Sequence, residues 1–376
     1  MPRPPPHLTS YFLHLRSNTM IELPFPFSDI PREQLLYSHP SPIEPLNRLT
    51  EELFPPNSPN GSKALPSTKL WIKREDSNSG LAFGGNKIRK LEYVIPDAVS
   101  SGATTLVTTG GLQSNHMRQV AAAAARYGLK TRLLPNDSVE PVAPEYHKLG
   151  NIQITSLLSA THSPHDSEVN KVMKACSDDG EVPYWIPAGA STHPLGGLGY
   201  ARFAFEILSQ ERELNTYFDT IILPCVGGST LGGMIAGFKL LEKTNEPPTG
   251  PNRKARKLLG IDAHADTPGE SEVRVLGIAK NTAIKIGLSE SDVQEKDVVI
   301  DERWNAGKYG FVDDQTQAGI KLLARLEGIL TDPVYTGKAL AGVIGKARLG
   351  EYEESQNVLF VHTGGVPALS AYPDVR

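Results

Sequence analysis

Short apolar runs recur along the chain from about residue 100, and helical stretches follow several of them. The runs are TTLVTT (104–109), KTRLL (130–134), DTIILPC (219–225), KLLGIDA (257–263) and NVLFVH (357–362). Near-continuous apolar character is typical of strands that a parallel sheet buries on both faces. Segments 114–128 and 229–243 begin with serine, as helices do, and the first ends at a glycine. This order predicts a doubly wound parallel α/β architecture, with functional residues at strand-to-helix turns.

The composition fits two globular lobes that act on small molecules. The 376 residues are 39% hydrophobic and 21% charged, which excludes wholesale disorder and provides for two cores. A net charge of −4 gives no basic surface for nucleic acid, and no apolar run is long enough for a membrane span. Cys176 and Cys225 stand apart in the sequence, so we predict neither a disulfide nor a metal site, and a cytoplasmic location.

The chain has a proline-rich start and a glycine-rich body. Residues 1–66 hold 14 of the 30 prolines and one of the 34 glycines. Residues 1–20 contain arginine but no carboxylate, as organelle presequences do, so a mitochondrial location would follow if residues 1–19 are a targeting segment. We favour a disordered extension, or translation from Met20, because the prolines near the start oppose an amphipathic helix.

One glycine-rich turn, GGSTLGG (227–233), follows an apolar run and opens a predicted helix. It lacks the G-x-G-x-x-G order of a dinucleotide site, and Met234 stands where a P-loop requires lysine. Free backbone N–H groups and the positive end of the helix dipole suit a phosphate group. A tight turn without a ligand is the alternative, but the turn holds more glycines than its geometry requires.

Two further glycine-rich turns carry reactive side chains. GGNKIRKLEY (84–93) places Lys87 beside other basic residues, and partial burial with positive neighbours lowers a lysine's pKa and makes it nucleophilic towards carbonyls. Read alone, the segment would be a solvated basic surface. TTGGLQSNHMRQ (108–119) places Ser114 at a helix start, where it can cap the helix and, with Asn115, hold a carboxylate. A phosphate site and an activated lysine together suggest pyridoxal 5'-phosphate (PLP) as cofactor.

The sequences of these turns resemble motifs of the PLP enzyme family that comprises 1-aminocyclopropane-1-carboxylate (ACC) deaminase and D-cysteine desulfhydrase. The matching motifs, in the family's order, are GGNKIRKLEY, GGLQSNHMRQ, IPAGASTHPLGGLGYARFA (186–204), GGSTLGG, LTDPVYTGKALAG (330–342) and LFVHTGGVPALSAY (359–372). The resemblance implies the tryptophan-synthase-β-like fold (PLP fold type II), with two doubly wound parallel-sheet domains, and a homodimer. We expect a large PLP-binding domain from residues 21–89 and 200–376, and a small domain from residues 90–199.

The resemblance also implies residue roles. Lys87 would bind the cofactor covalently and act as the base at Cα, and Ser114, Tyr309 and Tyr335 would be the other catalytic residues. Ser114, Asn115 and His116 would face the substrate. Cofactor contacts to the phosphate and the pyridine ring would come from Lys87, Lys90, Asn115, Gly228, Ser229, Thr230, Leu231, Gly232, Thr336 and Thr363.

Three positions separate the two branches of the family. ACC deaminases typically read QSNQ, DPVYEGK and HLGG, whereas this chain has His116, Thr336 and Thr363, which resemble D-cysteine desulfhydrase. The sequence outside these three positions, especially HPLGGLGYARFA, resembles fungal ACC deaminases more closely. A carboxylate beside the pyridine nitrogen raises that nitrogen's pKa by roughly 1–3 units and deepens the electron sink, whereas a neutral threonine does not.

We therefore expect a lyase that converts D-cysteine to pyruvate, ammonia and hydrogen sulfide by α,β-elimination. The alternative is an ACC deaminase, which converts ACC to 2-oxobutyrate and ammonia. Two further possibilities are an enzyme of this fold that acts on another small amino acid, and a non-catalytic PLP-binding protein.

Overall fold

The computed structural model describes residues 21–55, 68–136, 138–139, 143–244, 255–352 and 354–376, and two β-sheets form its framework. The strands in these ranges are β1 (Ile43–Pro45), β2 (Lys69–Arg74), β3 (Thr105–Gly111), β4 (Lys130–Asn136), β5 (Thr161–His162), β6 (Pro183–Ile186), β7 (Thr220–Cys225), β8 (Lys257–Asp262), β9 (Ile300–Asp301) and β10 (Asn357–His362). The segments predicted to be a targeting or disordered extension, residues 1–20, lie outside the described residues.

Helices follow most of the strands. They are α1 (Asn47–Leu53), α2 (Asn86–Ser100), α3 (Asn115–Arg126), α4 (Asn151–Leu157), α5 (Val169–Asp178), α6 (Leu198–Leu214), α7 (Ser229–Lys243), α8 (Glu270–Lys285), α9 (Asp314–Glu327) and α10 (Thr336–Arg348). Their starts show the expected capping chemistry, because the side chains of Ser114 and Asp313 accept hydrogen bonds from the first turns of α3 and α9.

The larger sheet has the order β1-β2-β10-β7-β8-β9, and the smaller has the order β5-β4-β3-β6. Every strand pair is parallel except β1 with β2. Helices α6, α7 and α8 pack on the larger sheet through the apolar cluster that contains Phe203, Leu223 and Met234. Helices α2 and α3 pack on the smaller sheet through Leu91, Leu106 and Val120.

The predicted doubly wound α/β class, with two parallel sheets, is confirmed. The five predicted strands coincide with β3, β4, β7, β8 and β10, and the two predicted helices coincide with α3 and α7, each end within two residues. The predicted domain boundaries at 89–90 and 199–200 fall inside α2 and α6, and they stay a prediction. Among the described residues, no helix combines the length and the apolar character needed to cross a membrane.

A buried ion network joins strand β2 to helices α2 and α6. The Arg89 guanidinium donates to Glu75 at 2.5 Å and to Glu206 at 2.8 and 2.9 Å, and Lys73 donates to Glu206 at 2.6 Å. All four side chains are buried. Because buried charges are stable only when paired, this network fixes β2, α2 and α6 against one another. It lies two residues from Lys87 along the chain.

Candidate active site

The carboxyl ends of strands from both sheets meet at one cavity, as expected for doubly wound folds. β3 contributes Gly110 and Gly111 to its wall, and β7 contributes Cys225. His264 follows β8, and Thr363 follows β10. Lysine and histidine side chains line the cavity, and no aspartate or glutamate among the described residues does.

Lys87 lies in the first turn of α2, and its backbone geometry depends on glycine. Gly85 precedes the helix with φ +118°, a conformation that side chains oppose, and a Cβ there would approach the Gln119 amide to 2.8 Å. Gln119 in turn accepts a hydrogen bond from Ile88 N at 3.0 Å and donates to Asn115 O at 2.9 Å. The start of α2 is therefore held by the start of α3.

The Lys87 amine has the properties of a nucleophile. Burial lowers its pKa from 10.5 to about 8, with Asp332 opposing and Arg118 adding to the effect. The Nζ atom lies 5.3 Å from the centroid of the Tyr335 ring, and the described residues provide it with no hydrogen-bond acceptor. At pH 7 roughly a tenth of such amines are neutral, against about one in 3,000 at a pKa of 10.5. The structure thus keeps Lys87 available for reaction with a carbonyl.

The N-terminus of α7 has the features of an anion-binding site. Gly228 precedes the helix with φ +89°, and no side chain caps the free backbone N–H groups. The Ser229 hydroxyl is fully buried and has no hydrogen-bond partner among the described residues. Lys90 lines the same cavity. Its pKa lies well below the ordinary value, mainly because the side chain is buried and secondly because Lys87 carries a charge of the same sign. Such orphaned donors at a helix N-terminus fit a phosphate.

Ser114 and Asn115 face the cavity from the start of α3. Ser114 caps the helix by accepting a bond from Met117 N at 3.2 Å, so the predicted capping role is seen in the geometry. Asn115 Oδ1 accepts from Asn151 Nδ2 at 2.9 Å and from Arg118 at 3.4 Å, which leaves its amide nitrogen as a donor at the cavity wall. An Asn115 donor can bind a phenolic or carboxylate oxygen.

His116 is a buried residue of the same wall. Its Nε2 pairs with the Thr108 hydroxyl at 2.9 Å. Burial, and then the charges of Lys87 and Lys90, place its pKa well below the ordinary value, so the imidazole is neutral.

Two tyrosines cover the opposite side of the cavity. The hydroxyls of Tyr309 and Tyr335 hydrogen-bond to each other. Burial raises the pKa of Tyr309 to about 12 and places the pKa of Tyr335 well above its ordinary value, so both are neutral phenols. Phenols with such pKa values donate and accept hydrogen bonds but do not act as bases at neutral pH.

The structure brings most of the predicted site residues to one cavity. Those that line it are Lys87, Lys90, Ser114, Asn115, His116, Gly228, Thr230, Leu231, Tyr309, Tyr335 and Thr363. Ser229, Gly232 and Thr336 lie outside its wall, the first two in the first turn of α7. Thr336 is fully buried, and its hydroxyl donates to Asp332 at 2.5 Å.

Asp332 and His264 are two residues that the sequence motifs did not single out. Asp332 accepts hydrogen bonds from the backbone N–H groups of Val334, Tyr335 and Thr336, each at 2.8 Å, and thereby holds the start of α10. His264 lines the cavity two residues after β8 ends. The apolar run KLLGIDA was predicted as a strand, so a histidine directly after it was the available signal for His264.

The sequence profile of the family described as pyridoxal-phosphate dependent enzyme matches residues 40–364. The chain belongs to this family. An enzyme of Burkholderia ambifaria (strain MC40-6) named 1-aminocyclopropane-1-carboxylate deaminase is 45% identical over 353 residues, which cover 92% of this chain and 97% of the relative. The protein of the same name from Burkholderia cenocepacia strain J2315 is 45% identical over 350 residues, covering 91% of this chain and 96% of the relative.

Solved structures agree with the family. A structure described as an ACC deaminase homologue superimposes with a TM-score of 0.75 at 28% identity, covering 93% of this chain and 96% of that one. A PLP-dependent aspartate racemase superimposes with a TM-score of 0.55 at 14% identity, covering 86% and 90%, and shows the fold alone. The predicted family, PLP fold type II and the PLP cofactor are thus confirmed, and the chain is a PLP-dependent enzyme.

The residues present fit this cofactor. The uncapped start of α7, from which Gly228, Thr230 and Leu231 line the cavity, suits the phosphate, and the unpartnered Ser229 hydroxyl lies in the same turn. The amine of Lys87 suits the aldehyde. The individual contacts assigned to these residues remain predictions.

Proposed function

We propose that the chain is an ACC deaminase, which converts ACC and water to 2-oxobutyrate and ammonia. The proposal is carried by the available amine of Lys87, which shares one cavity with an anion-binding helix start and a carboxylate-binding helix start. The relatives that are 45% identical over nine-tenths of the chain support ACC as the substrate. The same cavity and the same relatives support the more general function of a PLP enzyme that deaminates a small amino acid.

Each group has a defined task in this proposal. When bound, PLP supplies an electron-accepting ring conjugated to the substrate nitrogen, which weakens the bonds at Cα. Ser114 and Asn115 bind the substrate carboxylate and orient the amino acid above Lys87. Because Cα of ACC carries no hydrogen, the neutral amine of Lys87 takes its proton from a ring methylene, as its pKa of about 8 permits at neutral pH. Tyr309 and Tyr335 exclude water and donate hydrogen bonds from one side.

D-Cysteine desulfhydrase is the second candidate, because no described residue of the cavity wall carries a carboxylate. Thr336 stands where ACC deaminases typically carry glutamate, and its hydroxyl is bonded to Asp332. The Asp332 carboxylate is itself held by three backbone N–H groups at the start of α10, outside the cavity wall. A pyridine ring without a carboxylate partner is a shallower electron sink, which suffices for expulsion of a thiolate.

Substrate profiling separates the two candidates. Purified holoenzyme is incubated separately with ACC and D-cysteine, and 2-oxobutyrate, pyruvate and sulfide are quantified. An ACC deaminase yields 2-oxobutyrate and little sulfide, and we expect Lys87→Ala to abolish it. Pyruvate and sulfide without 2-oxobutyrate would instead support the second candidate. Turnover of neither compound would contradict both.

We further propose a homodimer, as the family resemblance implies, and a cytoplasmic location, as the two isolated cysteines suggest. The assembly is tested by size-exclusion chromatography with light scattering, in which a monomer mass near 40.8 kDa would contradict the dimer.

A further inference from the structure

The mechanism above leaves one titratable pair at the cavity unused, His264 with Asp266. The imidazole Nδ1 lies 2.5 Å from Asp266 Oδ1. The His264 side chain lines the cavity and is 41% exposed to solvent. The side chain therefore contacts both the cavity and bulk water.

The position of His264 is set by the turn after β8. The Asp262 carboxylate accepts hydrogen bonds from His264 N at 2.9 Å, from Ala265 N at 3.0 Å and from Asn305 Nδ2 at 2.9 Å. A turn closed by three bonds to one buried carboxylate leaves little freedom for the His264 backbone.

Asp266 is held as an ionised partner. Burial opposes its charge, but hydrogen bonds from Arg274 and Ser271, together with the charge of His264, keep its pKa below the ordinary value. Arg274 also donates to the carbonyl of Val226 at 2.8 Å, which lies just before the phosphate-binding turn. The pair is thus anchored to the same loop that receives the cofactor.

The imidazole ring also packs on the tyrosine pair. Its centroid lies 4.9 Å from that of Tyr309, and the Tyr309 hydroxyl bonds to that of Tyr335, whose ring lies beside Lys87. With Nδ1 bound to Asp266, Nε2 is the nitrogen available to a substrate. A carboxylate, an imidazole and an open second nitrogen form the arrangement of an oriented general acid–base group.

We propose that His264, oriented by Asp266, gives a proton to the part of the substrate that separates during the reaction. The inference rests on the proposed function and names a second acid–base group for it. With ACC, Lys87 takes a proton from one ring methylene, and the freed electron pair forms a C=C bond to Cα. The other ring C–C bond at Cα breaks, and its electron pair forms a C–H bond with the Nε2 proton, which yields the methyl group. With D-cysteine, the C–S bond breaks, and the sulfur takes the proton and leaves as hydrogen sulfide. Water restores the proton at the exposed edge of the ring.

The test compares leaving groups that do and do not require a proton. His264→Gln holoenzyme is assayed with ACC, D-cysteine and β-chloro-D-alanine, whose chloride leaves without protonation. We expect kcat to fall about 100-fold for whichever of ACC and D-cysteine the wild type converts, and to stay within about threefold for β-chloro-D-alanine. We expect KM to change little, and the visible absorbance of bound PLP to match the wild type.

Two further variants complete the comparison. Asp266→Asn should lower the same kcat about tenfold, because the imidazole loses its orienting partner. His39→Gln is the matched control, since His39 stacks on Tyr37 at 5.4 Å and is exposed outside the cavity, and it should leave all rates unchanged.

The outcomes are distinguishable. Equal losses on all three substrates in His264→Gln, or no loss on any, would overturn the assignment of His264 and leave the proposed function intact. A wild-type enzyme that converts neither ACC nor D-cysteine contradicts the proposed function and, with it, the proton transfer assigned here.

Discussion

Replacement of Lys87 by methionine should make the cofactor-free protein more stable. The reactive lysine carries a positive charge inside the protein, where burial disfavours it and no described acceptor binds its amine. Methionine has a similar length and no charge, and it packs well in irregular spaces. Catalytic groups of this kind commonly reduce stability.

The size of the effect follows from the pKa of Lys87. Burial lowers that pKa from 10.5 to about 8, and each pKa unit corresponds to about 1.4 kcal/mol, so keeping the charge in the folded state costs about 3 kcal/mol. Partial exposure reduces the figure to about 2–3 kcal/mol at pH 7. Between pH 8 and 10.5 the folded state binds fewer protons than the unfolded state, so the wild type gains stability as the pH rises. At pH 10 the advantage of the variant should fall below about 1 kcal/mol.

Urea unfolding of both proteins, stripped of PLP, measures this difference at pH 7 and pH 10. Lys69→Met is the control, because Lys69 is exposed at the start of β2, and its substitution should change the free energy of unfolding by less than about 0.5 kcal/mol. A Lys87→Met protein no more stable than the wild type at pH 7 would refute the reasoning. So would a gain that persists undiminished at pH 10.

Three further predictions address the cofactor and the buried network. Ser229→Ala should stabilise the PLP-free protein by about 1 kcal/mol, because it removes an unpartnered buried hydroxyl, yet weaken PLP binding about tenfold in a fluorescence titration. The rate at which PLP attaches to the stripped protein should rise about 50-fold from pH 6 to pH 8, as Lys87 loses its proton, and a flat stopped-flow profile would contradict the lowered pKa. Glu206→Gln should lower the free energy of unfolding by about 3–5 kcal/mol in urea, because Lys73 and Arg89 lose a buried partner.

The strands that the sequence predicted are those with apolar residues on both faces. β7 and β10 are buried along nearly their whole length, and their pattern was unambiguous. β2 went unpredicted because its segment KLWIKR contains Lys73, which normally indicates an exposed position. Lys73 is buried only because Glu206, far away in sequence, neutralises it at 2.6 Å. Such a pairing is visible only once the chain has folded.

The site was predictable where a residue adjoins a glycine-rich turn, and not elsewhere. Lys87, Ser114 and the start of α7 each follow glycines at a strand end or helix start, so their chemistry could be located from the sequence. His264 has no such motif, and its role depends on Asp266, two residues along the chain, and on Tyr309, which only the fold brings to it. Thr336 lies within the motif LTDPVYTGKALAG, yet it is outside the cavity wall, and its hydroxyl is bonded to Asp332.

The absence of a carboxylate from the described cavity wall affects the two candidate reactions unequally. Thiolate is a better leaving group than carbon, so its departure from D-cysteine needs less help from the pyridine ring than the opening of ACC does. A carbon that leaves Cα in ACC is far more basic, and it needs either a deep electron sink or a proton delivered as the bond breaks. Thr336 is neutral, and the Asp332 carboxylate is hydrogen-bonded to the start of α10. Neither residue therefore strengthens the electron-accepting character of the pyridine ring. If this chain opens ACC, the proton donor must carry more of the reaction, which is the task that we assign to His264 beside Asp266.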